Sequence, residues 1–379
     1  MTTPTVGVNL LWLLPGAAGG AEEYALRLLR ALAEVPANDL ALTLLCNRRF
    51  PRAHPDLVDR FPTVIAPIDG ASRAARIAAE STWLPRAAST AGLEVVHHLN
   101  TVVPWVQNRP SVLTIHDLRP IELPNTIGRI QGGYLRSRLR PSARAARVIT
   151  TPSAFVRGTV MALLGADPER VLVVSAPLPP ARSEDDPPAL PSGPPTFLYP
   201  AITAPHKNHL TLLEAFAKVI AVRDDAVLVL TGAAGPAEGA VASAIEELGL
   251  TGNVRRLGRI PAEELDALFR DAVALVYPST YEGFGLPLAE AMALGCPVIA
   301  SDRTALPEVL GDAGILLDPG HVDGWADAML RLLADQGLRA KLTAAGRERV
   351  RSFSSEEAAE RQVAAYHLAL ETPGRRAAS

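Results

Sequence analysis

The chain has 379 residues, of which 48% are hydrophobic and 20% charged, with a formal net charge of −3. That length suits two domains of about 150–190 residues each, and the apolar content excludes a disordered or fibrous chain. A slightly acidic balance and 5% aromatics argue against a dedicated nucleic-acid binder.

Residues 6–21 are apolar and rich in small side chains. A secretory signal would carry a positive start, yet the first basic residue is Arg27, and Asn9, Pro15 and Gly16 break the run. A buried first strand is the better reading. No stretch approaches the ~20 apolar residues of a membrane-spanning helix. Only Cys46 and Cys296 occur, so neither a disulfide framework nor a cysteine zinc site is expected, and a reducing, cytoplasmic setting is the simpler reading.

Short apolar runs at residues 5–11, 40–46, 95–98, 111–115, 147–150 and 171–174 read as buried strands, with helices at 22–33 and 75–90 between them. Residues 177–195 hold eight prolines, together with Ser183, Glu184, Asp185 and Asp186. Such a segment favours extended backbone, and an interdomain linker is expected there. Beyond it, strands are expected at 196–199, 226–231, 254–257, 272–277 and 297–300. Helices are expected at 210–222, 238–248, 262–271, 288–294 and 325–334, with a terminal helix over 354–370. Strands alternating with helices predict an α/β protein with two doubly wound parallel sheets. The expected organisation is a first domain at 1–176, the linker at 177–195, a second domain at 196–353, and a terminal helix with a frayed tail at 354–379. Ligands of this fold class bind beyond the carboxyl ends of the strands.

The strongest local signal is Tyr281-Glu282-Gly283-Phe284-Gly285-Leu286-Pro287-Leu288-Ala289-Glu290, between a strand and a helix. Glycines in that turn let backbone N–H groups approach an anion, and the helix start adds a favourable partial charge. Glu282 and Glu290 suit hydroxyl-rich groups flanking a phosphate; the spacing alone equally allows a helix-capping Glu282 and a surface Glu290. A second signal is Thr203-Ala204-Pro205-His206-Lys207-Asn208-His209, where Asn208 reads as a helix N-cap and Lys207 as a cation able to meet a diphosphate or as a solvated lysine. Gly19 and Gly20 lie in a glycine-rich turn, Gly16 to Glu23, that lacks the dinucleotide-binding GxGxxG spacing. His116, in Leu113-Thr114-Ile115-His116-Asp117-Leu118, would end a strand. Ser153 reads as a helix cap. Arg129, Arg136, Arg138, Arg140, Arg144 and Arg147 form a basic stretch in which Pro141 is expected to interrupt any long helix.

The Glu-x7-Glu segment resembles that of retaining glycosyltransferases of family 4 with the GT-B fold. The likeness continues through Ala293-Leu294-Gly295-Cys296-Pro297-Val298-Ile299-Ala300-Ser301, Leu306-Pro307-Glu308-Val309 and Gly311-Asp312-Ala313-Gly314, and covers essentially the whole chain. It implies two Rossmann-like domains facing across a cleft and transfer of a hexose from a nucleoside-diphosphate sugar to a saccharide or lipid-linked hydroxyl. By the resemblance, Glu282 sits against the donor sugar and Glu290 binds the ribose. His206, Gly283, Phe284, Gly285 and Leu286 are then donor-binding, the last two through backbone against the diphosphate. Gly19 and Gly20 would border that diphosphate, and His116 would lie near the reacting carbon. Lys207 would neutralise the leaving group, although the arginine usual five residues earlier is Ile202 here; Lys207 alone, His206 or another arginine could serve instead. No metal and no cofactor beyond the co-substrate are expected. The His206-Lys207-Asn208-His209 block favours GDP-mannose as donor. The arginine stretch 129–147 offers peripheral contact with an anionic membrane, or simply a solvated face. A sugar-nucleotide epimerase and a catalytically silent nucleotide-binding scaffold are the alternatives; a nicotinamide dehydrogenase lacks its GxGxxG.

Overall fold

In a computed structural model, residues 3–16, 19–36, 39–178 and 193–372 are described. The chain divides into two compact units, one of residues 1–177 with 355–379, the other of residues 178–354. Each is built on a parallel sheet.

The first unit carries strands β1 (Thr5–Leu10), β2 (Ala41–Cys46), β3 (Thr63–Ile65), β4 (Val95–His98), β5 (Ser111–Thr114), β6 (Val148–Thr151) and β7 (Val171–Val173). Their order across the sheet is β3-β2-β1-β4-β5-β6-β7, with every pairing parallel. The direction of winding reverses between β1 and β4. Val6, Val8, Val95, Val112, Leu113, Val148 and Ile149 are almost completely buried, as strands covered on both faces require.

The second unit carries β8 (Thr196–Pro200), β9 (Val227–Thr231), β10 (Val254–Gly258), β11 (Ala274–Tyr277), β12 (Val298–Ser301) and β13 (Ile315–Leu317), ordered β10-β9-β8-β11-β12-β13 and again wholly parallel. Its winding reverses between β8 and β11, where Phe197 pairs with Ala274 and Leu198 with Leu275. In this fold class ligands bind outside the carboxyl ends of the strands at such a switch point.

Strand positions follow the sequence pattern to within two residues. The unforeseen β3 and β13 are three-residue edge strands, too short to carry an alternation. The helix Ala154–Leu164 was also unforeseen, although Ser153 caps it as expected, its Oγ accepting from Val156 N. A further helix, Gln336–Val350, has no strong apolar stripe to announce it.

One expectation is overturned. Arg129–Ala145 is a single helix with Pro141 inside it. Proline there forfeits a backbone hydrogen bond and costs about 3 kcal/mol in isolation. Here Leu139 and Ala143 pack into a core with Leu113, Ile149 and Val160, and Ser142 Oγ accepts from Val103 N, so packing outweighs the loss. The arginines are also less free than a solvated face implies. Arg138 is buried, donates to the Val103 and Pro104 carbonyls and stacks 3.7 Å from the Trp105 ring centroid. Arg136, Arg140 and Arg147 donate to the carbonyls of Pro120, Leu163 and Ala369.

The helix Ser355–Glu371 belongs to the first unit. Tyr366 bonds His97 of β4 at 2.9 Å, and Arg361 donates to Val173 O. The linker expected at 177–195 falls mostly on residues 179–192, outside the described residues, as does the tail 373–379. Among the described residues, no helix is long and apolar enough to cross a membrane.

Candidate functional site

The site in the second unit grows from the two loops that follow β8 and β11. After β8 the chain makes a short turn, Pro205–Lys207, and enters the helix His209–Ile220. After β11 it passes Pro278 to Gly285 and enters the helix Leu286–Ala293. The loops are stitched together: the His206 carbonyl accepts from Thr280 N, Thr280 Oγ1 and Ser279 Oγ, at 2.8 to 3.1 Å. Asn208 donates to the carbonyls of Pro278 and Pro319. Its expected capping role changes accordingly. Asn208 occupies the N-cap position in a left-handed conformation, φ +57°, but its side chain bridges loops, while Oδ1 accepts from Thr211 Oγ1.

This stitching brings Lys207 onto Glu282. Nζ lies 2.5 Å from Oε1, and the two side chains are only 13% and 14% exposed. Tyr277 OH donates to the same carboxylate oxygen at 2.9 Å and accepts from Lys207 Nζ at 3.3 Å. Tyr199 OH anchors the other side, donating to Lys207 O at 2.5 Å. Glu282 N donates to Thr304 Oγ1. Burial, the largest influence on Glu282, opposes its ionisation; the charge and hydrogen bond of Lys207, with the Ser279 hydroxyl and the His206 charge, together outweigh burial and hold the carboxyl below its usual value. Burial, then the Glu282 charge, push the Tyr277 hydroxyl well up, so it remains a donor. His209 is driven down to about 4, by burial and then by Lys207, and stays neutral.

Gly283 and Gly285 lie in the strand-to-helix turn as expected. Gly285 caps the helix at φ +100°, and a Cβ there would stand 2.6 Å from Leu306 Cδ2. The backbone geometry favours glycine, and any Cβ would require the Leu306 methyl to shift. The side chain of Phe284 is core, edge-on to Phe353 at 5.5 Å, and Leu286 is buried, so these two can offer a ligand only their backbone. Pro287 stands in the first turn, where a missing N–H costs the helix nothing. Glu290, half-buried on that helix, acts electrostatically on Tyr277, as Glu282 does more strongly.

Ile202 is exposed, and among the described residues no arginine is bonded or ion-paired to Lys207 or Glu282. Nor, among them, does any group of three His, Cys, Asp or Glu side chains stand ready to hold a metal ion.

The remaining expected residues lie in the first unit. His116 follows β5; its Nε2 donates to Leu99 O at 3.0 Å. Burial lowers its pKa, so the ring is neutral and Nδ1 carries the lone pair. Tyr24 meets the ring edge-on at 5.0 Å and donates to Val174 O. Tyr24 stands on the helix Gly20–Ala33, so the glycine turn and His116 are structurally linked. Gly19 has φ +58°, and a Cβ at Gly19 or Gly20 would meet nothing within 4 Å, leaving that backbone approachable. Ala17 and Ala18 lie outside the described residues.

Tyr277, Tyr199 and Thr304 belong to this site but were not singled out from the sequence. Tyr277 and Tyr199 end apolar strands and read as core; only the strand order makes them neighbours, at 5.4 Å.

Comparison with known proteins agrees on one class. The family model described as glycosyl transferases group 1 matches residues 181–349, and that described as glycosyltransferase family 4 matches residues 18–182. The chain is 32% identical to the O-antigen chain mannosyltransferase B of Escherichia coli over 283 residues, 72% of this chain and 74% of that one. Sucrose-phosphate synthase from Thermosynechococcus elongatus superposes with a TM-score of 0.74 at 22% identity, covering 96% and 98% of the two chains. Anabaena HepE, solved in complex with UDP-glucose, superposes at 0.70 with 18% identity, covering 95% and 98%.

Proposed function

The chain belongs to glycosyltransferase family 4 and has the GT-B fold, and from that premise we propose that it is a retaining mannosyltransferase, moving mannose from GDP-mannose to a hydroxyl of a saccharide or lipid-linked acceptor. The observation that carries the donor side is the buried Lys207–Glu282–Tyr277 cluster beside the Gly283–Gly285 turn. A cation, a carboxylate and a phenol beside a glycine turn, at the switch point of a parallel sheet, support that reading. Mannose as the sugar is supported by the relative named a mannosyltransferase and by the His206-Lys207-Asn208-His209 block.

In this reading Glu290 takes the ribose hydroxyls, and the backbone of Gly285 and Leu286 meets the diphosphate. The acceptor oxygen attacks the anomeric carbon on the face the diphosphate leaves. The bond from that carbon to the phosphate oxygen breaks with its electron pair, and the departing oxygen takes the acceptor's proton. Lys207 stabilises the charge that develops there, so no divalent metal is needed. Glu282 and the neutral His116 orient the sugar without forming a covalent adduct.

The test is a donor-hydrolysis screen. Purified protein is incubated with GDP-mannose, UDP-glucose, UDP-N-acetylglucosamine and dTDP-rhamnose, with and without EDTA, and released nucleotide is measured. Release from GDP-mannose alone, unchanged by EDTA, is the expected result. Preference for another donor, or loss of release with EDTA, overturns the corresponding part. No release, together with no thermal shift from any nucleotide, overturns the whole.

A further inference from the structure

A second charged feature lies in the first unit, apart from every residue assigned above. The loops leaving β1, β2 and β3 enclose an open cavity of about 550 Å³ lined by Pro15, Arg48, Arg49, Arg52, Ala53 and Asp69. Three arginines and one aspartate line it. Asp69 is already engaged, Oδ2 accepting from Arg49 at 3.3 Å and Oδ1 from Ala71 N at 2.9 Å. The side chains of Arg48 and Arg52 have no hydrogen-bond or ion-pair partner among the described residues. The lining therefore keeps an excess of two positive charges.

The frame holding these arginines is rigid. Asn47 is completely buried between the loops. Its Nδ2 donates to Leu11 O and Leu13 O on the first loop, and its Oδ1 accepts from Arg49 N and Phe50 N on the second. Arg48 N donates to Ile68 O on the third. Gly70, at φ +82°, passes so close to Asn47 that a Cβ would stand 2.9 Å from Nδ2. One buried amide thus ties two loops, and the Arg48 backbone ties the third, at the carboxyl edge of the sheet, the edge where this fold class receives ligands. Arginines clustered like charges at some electrostatic cost, on a prearranged frame, suit an anion with several oxygens in a plane or tripod.

We propose that this cavity binds a phosphate or diphosphate group. Resting on the transferase reading, that group is the acceptor's, since the donor's diphosphate is already provided for in the second unit. The acceptor class is then a phosphorylated sugar or a lipid-linked saccharide phosphate.

The test reads individual arginines. The full chain is labelled with phenylglyoxal, and modification rates are followed by peptide mass spectrometry, with and without inorganic pyrophosphate. At about ten times the Kd, labelling of Arg48, Arg49 and Arg52 should slow about tenfold, following the factor 1 + [L]/Kd. The exposed reference residues Arg255 and Arg259 should not change. In R48A/R52A, shown folded by its melting temperature, pyrophosphate should no longer protect Arg49; R48K/R52K should restore part of the protection. No protection, or equal slowing at the references, overturns the proposal. Arms with glucose 1-phosphate and with phosphatidylglycerol–phosphatidylcholine vesicles separate a soluble from a lipid-borne source. Among the described residues no arginine takes part in the donor cluster, so this readout stands or falls independently of donor turnover.

Discussion

Lys207 and Glu282 form an ion pair at 2.5 Å, with both side chains some six-sevenths buried. The cation assigned to the leaving group is thus already held by the carboxylate assigned to the donor sugar. Lys207 keeps Glu282 ionised, and Glu282 aims Lys207. Removing either partner should disturb both assigned functions, but not equally.

K207A leaves a buried carboxylate without its cation, which costs about 3–5 kcal/mol of stability. It also removes stabilisation of the departing diphosphate, so kcat should fall about 10²- to 10³-fold. E282Q keeps the shape and can still bond Tyr277 and Lys207, so its melting temperature should drop less. Calorimetry with steady-state kinetics checks the pair; equal loss of stability in both variants would contradict the asymmetry.

Glu290 and His116 should separate in kinetics. E290A should raise the donor KM about 10- to 100-fold, the loss of charged hydrogen bonds worth about 1.5–3 kcal/mol, with kcat nearly unchanged. H116A should lower kcat about 10²-fold through lost positioning and leave the donor KM close to its original value. A reversed split would reassign the two residues.

Gly285 and Gly20 offer a contrast of glycines. G285A must place a Cβ against Leu306 at φ +100°, and should cost about 1–3 kcal/mol and weaken donor binding. G20A meets open space and should shift stability by no more than about 0.5 kcal/mol. Thermal melts and nucleotide titration of both variants decide this. A stable G20A that loses transfer activity would place the first glycine turn in substrate contact.

Acid should weaken the first unit in particular. His97 and His98 are buried, and burial lowers both to about 3. Unfolded, each takes up its proton near pH ~6.5. The unfolded state therefore binds more protons between these values, and stability falls as pH drops through that window, with a slope approaching about 2.7 kcal/mol per pH unit for the two together. Hydrogen exchange read by mass spectrometry at pH 7.5, 5.5 and 4.5 should show residues 95–98 losing protection ahead of residues 274–277. Equal loss in both units would refute the assignment.

The local parts of this molecule were legible in the sequence because their causes are local. Apolar runs of strand length mark both sheets. The turn at Gly285 was legible because glycine is nearly the only residue that tolerates such backbone. The cap at Ser153 needed only its own neighbours, and the Glu-x7-Glu spacing carried the family likeness. What the chain does at a distance was not legible. Lys207 and Glu282 stand 75 residues apart and meet only because β8 pairs with β11. Tyr277 becomes part of the site, and Asn208 a bridge in place of a cap, for the same reason. Pro141 stays helical because a core laid down by distant strands holds its helix. Asn47 joins two loops that the sequence separates. Secondary structure and turns depend on backbone sterics and side-chain period; side-chain partners depend on strand order, and strand order is a property of the folded chain.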